Sequence, residues 1–249
     1  PTLHAWLHPD EPPPLITNSP PLHFSTSTFV AFSLSFVPAT HITSEPPLAK
    51  QARRMIRELD VCGIMGDELF KADEGAFQSG QGRARAQGKK GENGRAREPD
   101  HRMWAVRTLG LKDGRNGTGG TDDYHLLESS NDDGEKFGGE RVLRVLRENQ
   151  AVDVLTFGGD MIGPIRFQHM ATTCQTSTTA LLKLITLRDL RTALEALDEE
   201  IASMRATLNP PGTAPASQEK PKTGMYDDVM DGAKLQRLVG AREKTKASL

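Results

Sequence analysis

The chain of 249 residues is poor in cysteine, has almost no net charge and contains no long apolar run. Its two cysteines, Cys62 and Cys174, cannot build a disulfide framework or, by themselves, a zinc site, which favours a reducing compartment. A net charge of -2 argues against binding to polyanions through bulk charge. Because no apolar run approaches ~18 residues, we expect no membrane span and a cytoplasmic location.

Sequence motifs of the common catalytic classes are also missing. There is no Gly-x-Ser-x-Gly nucleophile turn, no His-Glu-x-x-His zinc motif and no Cys-x-x-Cys pair. The nearest string to a phosphate-binding loop, between Gly82 and Lys90, has the wrong spacing. Lone histidines such as His101 and His169 are more often core or surface residues than catalytic ones. We therefore expect no cofactor and no enzymatic activity.

Composition divides the chain into segments. Residues 1–20 are rich in proline and predict an extended leader. Residues 21–185 carry the patterned core of one domain, interrupted at about 71–99 by a polar tract that predicts a disordered insertion. The segments that follow are a heptad helix at 186–208, a linker at 209–224 and an amphipathic tail helix at 225–249.

Strand and helix periods alternate within the predicted domain. Residues 28–37 (TFVAFSLSFV) and 103–109 (MWAVRTL) are typical of strands, and residues 152–157 predict a short third strand. Helices are predicted by apolar stripes after each strand, namely Leu48, Ala52, Met55, Ile56 and Leu59, then Val142, Leu143 and Leu146, then Phe167, Met170, Ala171, Cys174, Leu181 and Leu182. This order predicts a mixed α/β (α+β) fold.

Apolar residues then recur three and four positions apart. The string Thr186-Leu187-Arg188-Asp189 is typical of a capping box that opens a new helix. The seam consists of Leu187, Leu190, Leu194, Leu197, Ile201, Met204 and Leu208. It can pack on its own domain, on the tail helix or on a second copy of the chain, and three heptads are marginal for self-association.

Residues 131–143, NDDGEKFGGERVL, gather acidic side chains around a glycine. A calcium loop would place Ser129 at its first position, where a carboxylate is required. An anion would be repelled by Asp132, Asp133 and Glu135. Carboxylates are stabilising at the positive end of a helix dipole, so we expect this stretch to start a helix, with its glycines permitting a sharp turn.

A basic run lies within the insertion. Its members are Arg83, Arg85, Lys89, Lys90, Arg95 and Arg97, opposed only by Glu92. Such a run can bind phosphates by counterion release, which keeps RNA or ribosome binding open as an alternative function. No aromatic residue interleaves it to stack on bases, so a solvated insertion is the simpler interpretation.

Several strings occur in a distinctive order along the chain. They are Ser27-Thr28-Phe29, His101 before Trp104-Ala105-Val106-Arg107, Asp132-Asp133-Gly134-Glu135, Gly138-Gly139, Phe157-Gly158-Gly159, Gly163-Pro164, Arg166-Phe167 and His169. This set, from about residue 20 to residue 182, resembles the Impact family. The resemblance implies an α/β domain like the second domain of a small-subunit ribosomal protein, a sandwich of a small sheet and helices without established enzymatic activity.

The resemblance also implies a function in translation under stress. Eukaryotic members look like inhibitors of the amino-acid-starvation response, which compete for the large effector protein that activates the kinase of translation initiation factor 2. Fungal members are linked to monomeric actin. Longer members carry an RWD module where this chain has its proline-rich leader, so effector binding through that module is not expected.

The third strand departs from the family's pattern. The family has a Ser/Thr-Arg-aromatic segment before Phe-Gly-Gly, whereas here residues 152–156 pass straight to Phe157. We therefore expect a shortened strand, followed by a second glycine-rich turn beside the acidic one, with Arg166 near Asp133 or Glu135.

These turns are predicted to form a rigid recognition face and not a reaction centre. The candidate partner-binding surface comprises Asp132, Asp133, Gly134, Glu135, Gly158, Gly159, Arg166 and His169. The predicted function is that of a non-catalytic regulator of stress-controlled translation, acting by protein–protein binding. An unrecognised hydrolase using His101 or Glu135 is a further alternative.

Overall fold

The computed structural model describes residues 3–25, 27–65, 67–68, 99, 101–161, 167–208 and 224–249. The basic run, residues 209–223 of the predicted linker, Pro164 and Arg166 lie outside these residues, so the predictions made for them stay predictions. The chain divides into two compact units, Pro1–Leu181 and Leu182–Leu249. In the described part of the chain no helix is both long and apolar enough to cross a membrane.

Unit 1 is built on an antiparallel sheet of six strands. The strands are β1 (Ile16–Asn18), β2 (Leu22–Phe24), β3 (Ser27–Ser35), β4 (His101–Leu111), β5 (Tyr124–Asn131) and β6 (Val154–Met161). Their order is β1-β3-β6-β4-β5, and β2 also pairs with β3. The sheet thus places β6 at its centre, between the first and second strands predicted from the sequence.

The helices are α1 (Leu3–Leu7), α2 (Glu45–Glu58), α3 (Gly138–Glu148), α4 (Phe167–Leu208) and α5 (Gly232–Ala247). A 3-10 turn at Gly120–Asp123 leads into β5. The mixed α/β class predicted from the sequence is confirmed by this arrangement of strands and helices.

One face of the sheet is covered by α2. Backbone N–H groups in the first turn of a helix have no intrahelical partner. Proline, which has no N–H, therefore loses no hydrogen bond in the first turn of α2. The helix buries the stripe Leu48, Ala52 and Ile56 as the sequence predicts. These side chains join one apolar core with Phe32, Trp104, Leu155 and other side chains from four neighbouring strands. Burial of this apolar surface is the main force that holds α2 to the sheet.

The opposite face contacts α4 through hydroxyl groups. Ser33 Oγ lies 2.9 Å from Thr156 Oγ1 and 2.8 Å from Ser177 Oγ, and Thr156 Oγ1 lies 3.0 Å from Thr178 Oγ1. All four residues are fully buried. A buried hydroxyl is tolerated only when it is hydrogen-bonded, so this network fixes the position of α4 on β3 and β6.

Three predicted elements need correction. The leader is not extended throughout, since residues 3–7 form α1 and residues 16–18 form β1. The third strand is not shortened to residues 152–157, because β6 begins at Val154 and continues to Met161. No helix starts at Thr186, because α4 runs unbroken through that position. Thr186 instead donates its hydroxyl proton to the Leu182 carbonyl at 2.9 Å, an ordinary mid-helix bond.

Unit 2 consists of the C-terminal part of α4 with the tail. Leu187 and Leu194 of the heptad seam pack with Tyr226 and Leu235, and all four are buried. Asp231 is the N-cap of α5, and its carboxylate accepts hydrogen bonds from Ala233 N and Lys234 N. The seam therefore has an intramolecular partner in the tail, one of the arrangements that the sequence left open.

Candidate functional site

The acidic loop, residues 132–137, connects β5 to α3 and starts that helix. Asp132 Oδ1 accepts a hydrogen bond of 2.8 Å from Gly139 N, and its Oδ2 accepts one of 3.3 Å from Phe137 N. One carboxylate thereby satisfies amides of the first turn, which have no partner within the helix. The predicted placement of the acidic stretch at a helix N-terminus is confirmed.

Asp133 ties the acidic loop to the first residues of β4. Its Oδ2 accepts a hydrogen bond of 2.7 Å from Arg102 N and lies 3.9 Å from Arg102 Nε. Asp133 and Gly134 have φ angles of 51° and 84°. Glycine is favoured at such angles, and aspartate tolerates them better than most residues, so the predicted sharp turn follows from this sequence.

Glu135 lies beside His101, with 3.8 Å between Glu135 Oε1 and His101 Nδ1. This is an ion-pair distance when the imidazole is protonated, but it exceeds the roughly 2.6–3.2 Å over which a general base takes a proton. Both side chains are partly exposed to water. The contact therefore suits a surface charge pair better than a catalytic dyad.

Phe137 is the exposed apolar residue of the acidic loop. Its φ of 69° puts a bulky residue in the left-handed region, where an L-residue is destabilised by roughly 1–2 kcal/mol. Its side chain is 60% exposed, so burial does not offset that cost. Lys136 Nζ lies 5.1 Å from the ring centroid. A strained aromatic residue held in solvent is a feature expected of a recognition surface.

The glycine pair allows the acidic loop to close against its neighbours. A Cβ at position 139 would lie 2.6–2.7 Å from the backbone of Asn131, and a Cβ at position 138 would lie 2.1 Å from Met103 Sδ. Both glycines are buried. They are present because other groups approach the backbone closely, and neither has the positive φ that a left-handed turn requires.

The second predicted turn, at Gly158 and Gly159, is wrong. Both residues lie within β6, where Gly158 pairs with Met103 and Gly159 with Arg102 of β4. They are buried, and a Cβ at Gly158 would lie 2.4 Å from Met170 Sδ. They therefore support the core and do not belong to an exposed surface. Strand β4 lies between the acidic loop and the glycine segment, since its residue Arg102 contacts Asp133 and pairs with Gly159.

The two remaining residues of the predicted surface have different outcomes. Arg166 lies outside the described residues, so its pairing with Asp133 or Glu135 stays a prediction. His169, near the start of α4, packs between Phe24 and Phe29, at ring-centroid distances of 4.1 Å and 5.7 Å. These aromatic residues belong to β2 and β3, whereas the acidic loop contacts β4, so His169 lies over a different part of the sheet.

A charge network beside α3 was not predicted from the sequence. Glu128 accepts hydrogen bonds from Arg107 Nε at 2.9 Å and from Arg147 at 2.7 Å, and Arg147 also binds Glu140 at 2.7 Å. The Arg147 hydrogen bond, followed by that of Arg107, holds the pKa of Glu128 below its usual value of 4.5. Arg107 and Glu128 are directly opposite each other in the register of β4 and β5. The pair could have been found from the sequence if β5 and this register had been predicted.

Replacing Glu128 is expected to destabilise unit 1 in a pH-dependent way. Because the folded-state pKa is lowered, the stabilisation is full above the unfolded-state pKa and is lost as the pH falls through the folded-state value. Glu128→Gln should lower the free energy of unfolding by about 1–2 kcal/mol at pH 7, and the deficit should shrink at pH 3. Urea unfolding at both pH values measures this difference.

Glu148→Gln is the matched control, since Glu148 pairs with Arg144 on the exposed face of the same helix. An exposed pair four residues apart contributes only about 0.3–0.5 kcal/mol. An equal loss of stability in both variants, or a Glu128→Gln deficit that grows on acidification, would contradict the assigned network.

Cysteine chemistry does not contribute to this region. Cys174 lies on α4 against Gly158 and is fully buried, and burial raises the pKa of its thiol to about 12. A thiol of that pKa stays protonated at neutral pH and is a poor nucleophile. Cys174 is therefore a packing residue.

Comparison with known proteins identifies part of this unit. Residues 79–178 match the family model of the Impact N-terminal domain. IMPACT family member C14C8.09c of Schizosaccharomyces pombe is 42% identical over 55 residues, which are 20% of this chain and 18% of the yeast protein. The chain thus matches less than a fifth of that relative's length. No solved structure matches the chain. The resemblance inferred from the sequence is confirmed, although the family match begins at residue 79 and not near residue 20.

Proposed function

Because residues 79–178 match the family model of the Impact N-terminal domain, we propose that this chain is a non-catalytic regulator that binds another protein through its acidic loop. The observation that carries the proposal is Phe137, which is 60% exposed and held in a left-handed conformation. Phe137 follows, in the same loop, carboxylates that hydrogen bonds hold in place. Partner binding would bury the ring, and the free energy of that burial would offset the conformational strain of the residue.

The charges of the acidic loop define the partner's chemistry. Asp133 is anchored to the backbone of β4 and Glu135 lies beside His101, so both carboxylates of this loop are held in place before binding. Preorganised side chains lose less entropy on association. The surface therefore suits a partner segment with an apolar side chain flanked by basic residues, because opposite charges then meet across the interface.

The partner proposed from the family resemblance is the effector protein that activates the starvation-responsive kinase of translation initiation factor 2. By occupying that effector, the chain would restrain the response to amino-acid shortage, acting in the cytoplasm where translation proceeds. Monomeric actin is the second proposed partner, and a second copy of this chain, joined through residues 187–208, is a third.

Phe137→Gly tests the role of the acidic loop. Glycine accepts the left-handed backbone, so the midpoint of thermal unfolding should not fall. Loss of the ring should weaken binding of the purified effector at least tenfold, as expected for a central aromatic contact. Fluorescence anisotropy with labelled full-length chain measures the affinity, and calorimetry measures the thermal midpoint.

Trp6→Ala is the control, because it removes an aromatic ring that is 76% exposed elsewhere in unit 1. It should leave the affinity unchanged. Effector binding that is equally tight with Phe137→Gly would remove the acidic loop from the interface. If the chain binds actin but not the effector, and Phe137→Gly weakens that binding, the acidic loop remains the binding surface and actin becomes the assigned partner. Steeply salt-dependent binding to RNA, lost on deletion of residues 80–97, would favour the RNA-binding alternative.

A further inference from the structure

Three side chains of types that can ligate a metal converge outside the acidic loop and outside the residues that match the family model. One potential ligand atom from each of His4, His8 and Glu58 lies within 4.8 Å of the other two. His8 Nε2 and Glu58 Oε2 are 3.5 Å apart, and the two imidazole rings have centroids 4.7 Å apart. His4 and Glu58 are 8% and 7% exposed. Buried imidazole and carboxylate groups gathered in this way require an explanation.

The chain positions the three groups from two helices. His4 and His8 are four residues apart, and His8 N donates to the His4 carbonyl at 2.9 Å, so the turn of α1 extends to His8. Residues at this spacing share one face of a helix. Glu58 is the last residue of α2. The cluster therefore joins the leader to the helix that covers the apolar face of the sheet.

The surrounding groups orient two of the candidate ligands. His8 Nδ1 lies 3.5 Å from Glu11 Oε1, which leaves Nε2 directed towards Glu58. Glu58 Oε1 accepts a hydrogen bond from Arg54 Nε, which leaves Oε2 directed towards His8. A carboxylate on the far nitrogen of a histidine is the usual second shell of a metal ligand, because it fixes the ring and makes it more basic.

We propose that His4, His8 and Glu58 bind a zinc ion. Two imidazoles and one carboxylate form a donor set that Zn²⁺ prefers, and three protein ligands leave the fourth position for water or another ligand. With zinc–ligand bonds of about 2.0–2.1 Å, neighbouring ligand atoms in a tetrahedron are roughly 3.3–3.4 Å apart. The separation of 3.5 Å between His8 and Glu58 is close to this spacing. The simpler alternative is an ion pair between protonated His8 and Glu58.

Zinc binding to the untagged full-length chain tests the site. After dialysis against a chelator, Zn²⁺ is titrated by calorimetry, and unfolding is followed with Zn²⁺ or with EDTA. We expect one equivalent of Zn²⁺ to bind, a higher thermal midpoint that EDTA reverses, and weaker binding at acidic pH because protons compete for the imidazoles. His8→Ala and Glu58→Gln should each weaken binding at least tenfold, whereas His41→Ala, at an exposed histidine, should bind as the wild type does.

Cobalt provides a readout that does not depend on the folding of variants. Co²⁺ bound to the wild-type chain should give the intense visible absorption of a four-coordinate ion, and Zn²⁺ should displace it. A spectrum like that of hydrated Co²⁺ would overturn the proposal. The proposal would also be overturned if His8→Ala and Glu58→Gln bound Zn²⁺ as tightly as the wild type does. Either result would leave the ion-pair interpretation in place.

Discussion

Gly139→Ala is expected to destabilise unit 1 by about 3 kcal/mol or more, as overpacking against a rigid neighbour does. A Cβ at this position would lie 2.6 Å from Asn131 C and O and 2.7 Å from Asn131 N. These are backbone atoms, so no side-chain rotation relieves the collision. The shift would also stretch the bond of 2.8 Å from Gly139 N to Asp132, which starts α3.

Two glycine substitutions serve as controls for this prediction. Gly138→Ala meets the flexible end of Met103 and should have a smaller effect, about 1–2 kcal/mol. Gly240 lies inside α5, where an added Cβ would contact no atom outside its own helix turn within 4 Å, so Gly240→Ala should stabilise unit 2 by about 0.5–1 kcal/mol. Urea unfolding followed by fluorescence of the buried Trp104 reports on unit 1. Equal stability of the variants at positions 139 and 138 would contradict the close approach of Asn131.

Leu194→Ala is expected to destabilise unit 2 by about 2–5 kcal/mol, the usual range for a leucine removed from a core. Leu194 is fully buried and packs in the cluster that contains Tyr226 and Leu235. Polar contacts beside that cluster depend on the same packing, since Asp198 accepts hydrogen bonds from Tyr226 Oη and Arg242 Nε. Burial and this bond to Asp198 raise the pKa of Tyr226.

Leu208→Ala is the matched control on the same helix, because that side chain is 58% exposed. It should change the free energy of unfolding by no more than about 0.5 kcal/mol. Hydrogen exchange of the α5 amides measures the effect within unit 2 alone. Fast exchange in the Leu194 variant and unchanged exchange in the Leu208 variant would support the pairing of tail and seam. Protection that depends on protein concentration would favour the self-association predicted from the heptads.

Strong local signals in the sequence predicted the central strands and α2. The alternation in residues 28–37 reflects burial of one strand face, and the string Ser44-Glu45-Pro46-Pro47 before Leu48 reflects the geometry of a helix start. Both effects act within a few residues. Asn149 follows α3 as its cap, and asparagine after the last apolar residue of a stripe is a local signal for a helix end. These features depend little on the rest of the chain.

Elements that depend on tertiary contacts could not be predicted from the sequence. β5 (YHLLESSN) has few apolar residues, since its polar side chains are paired with neighbours such as Arg107 and Arg147. Gly158 and Gly159 suggested a turn, but in β6 they make room for methionine side chains from elsewhere in the chain. β1 and β2 are three residues each and are stabilised by pairing with β3.

Part of the candidate site was local enough to predict. The acidic loop starts a helix because carboxylates satisfy its free amides, and this effect is visible in the sequence. The contribution of Phe137 was not visible, since a phenylalanine next to a helix predicts a buried residue. Its exposure results from the backbone path that Asp132, Asp133 and Gly139 impose together.

The central claim is that the acidic loop is rigid before any partner binds. Backbone ¹⁵N order parameters of residues 132–139 test it most directly in the free chain. Because Asp132 and Asp133 are hydrogen-bonded, we expect order parameters of about 0.85, as in regular secondary structure. Values below about 0.6 across the acidic loop would show a flexible segment and contradict a preformed recognition surface.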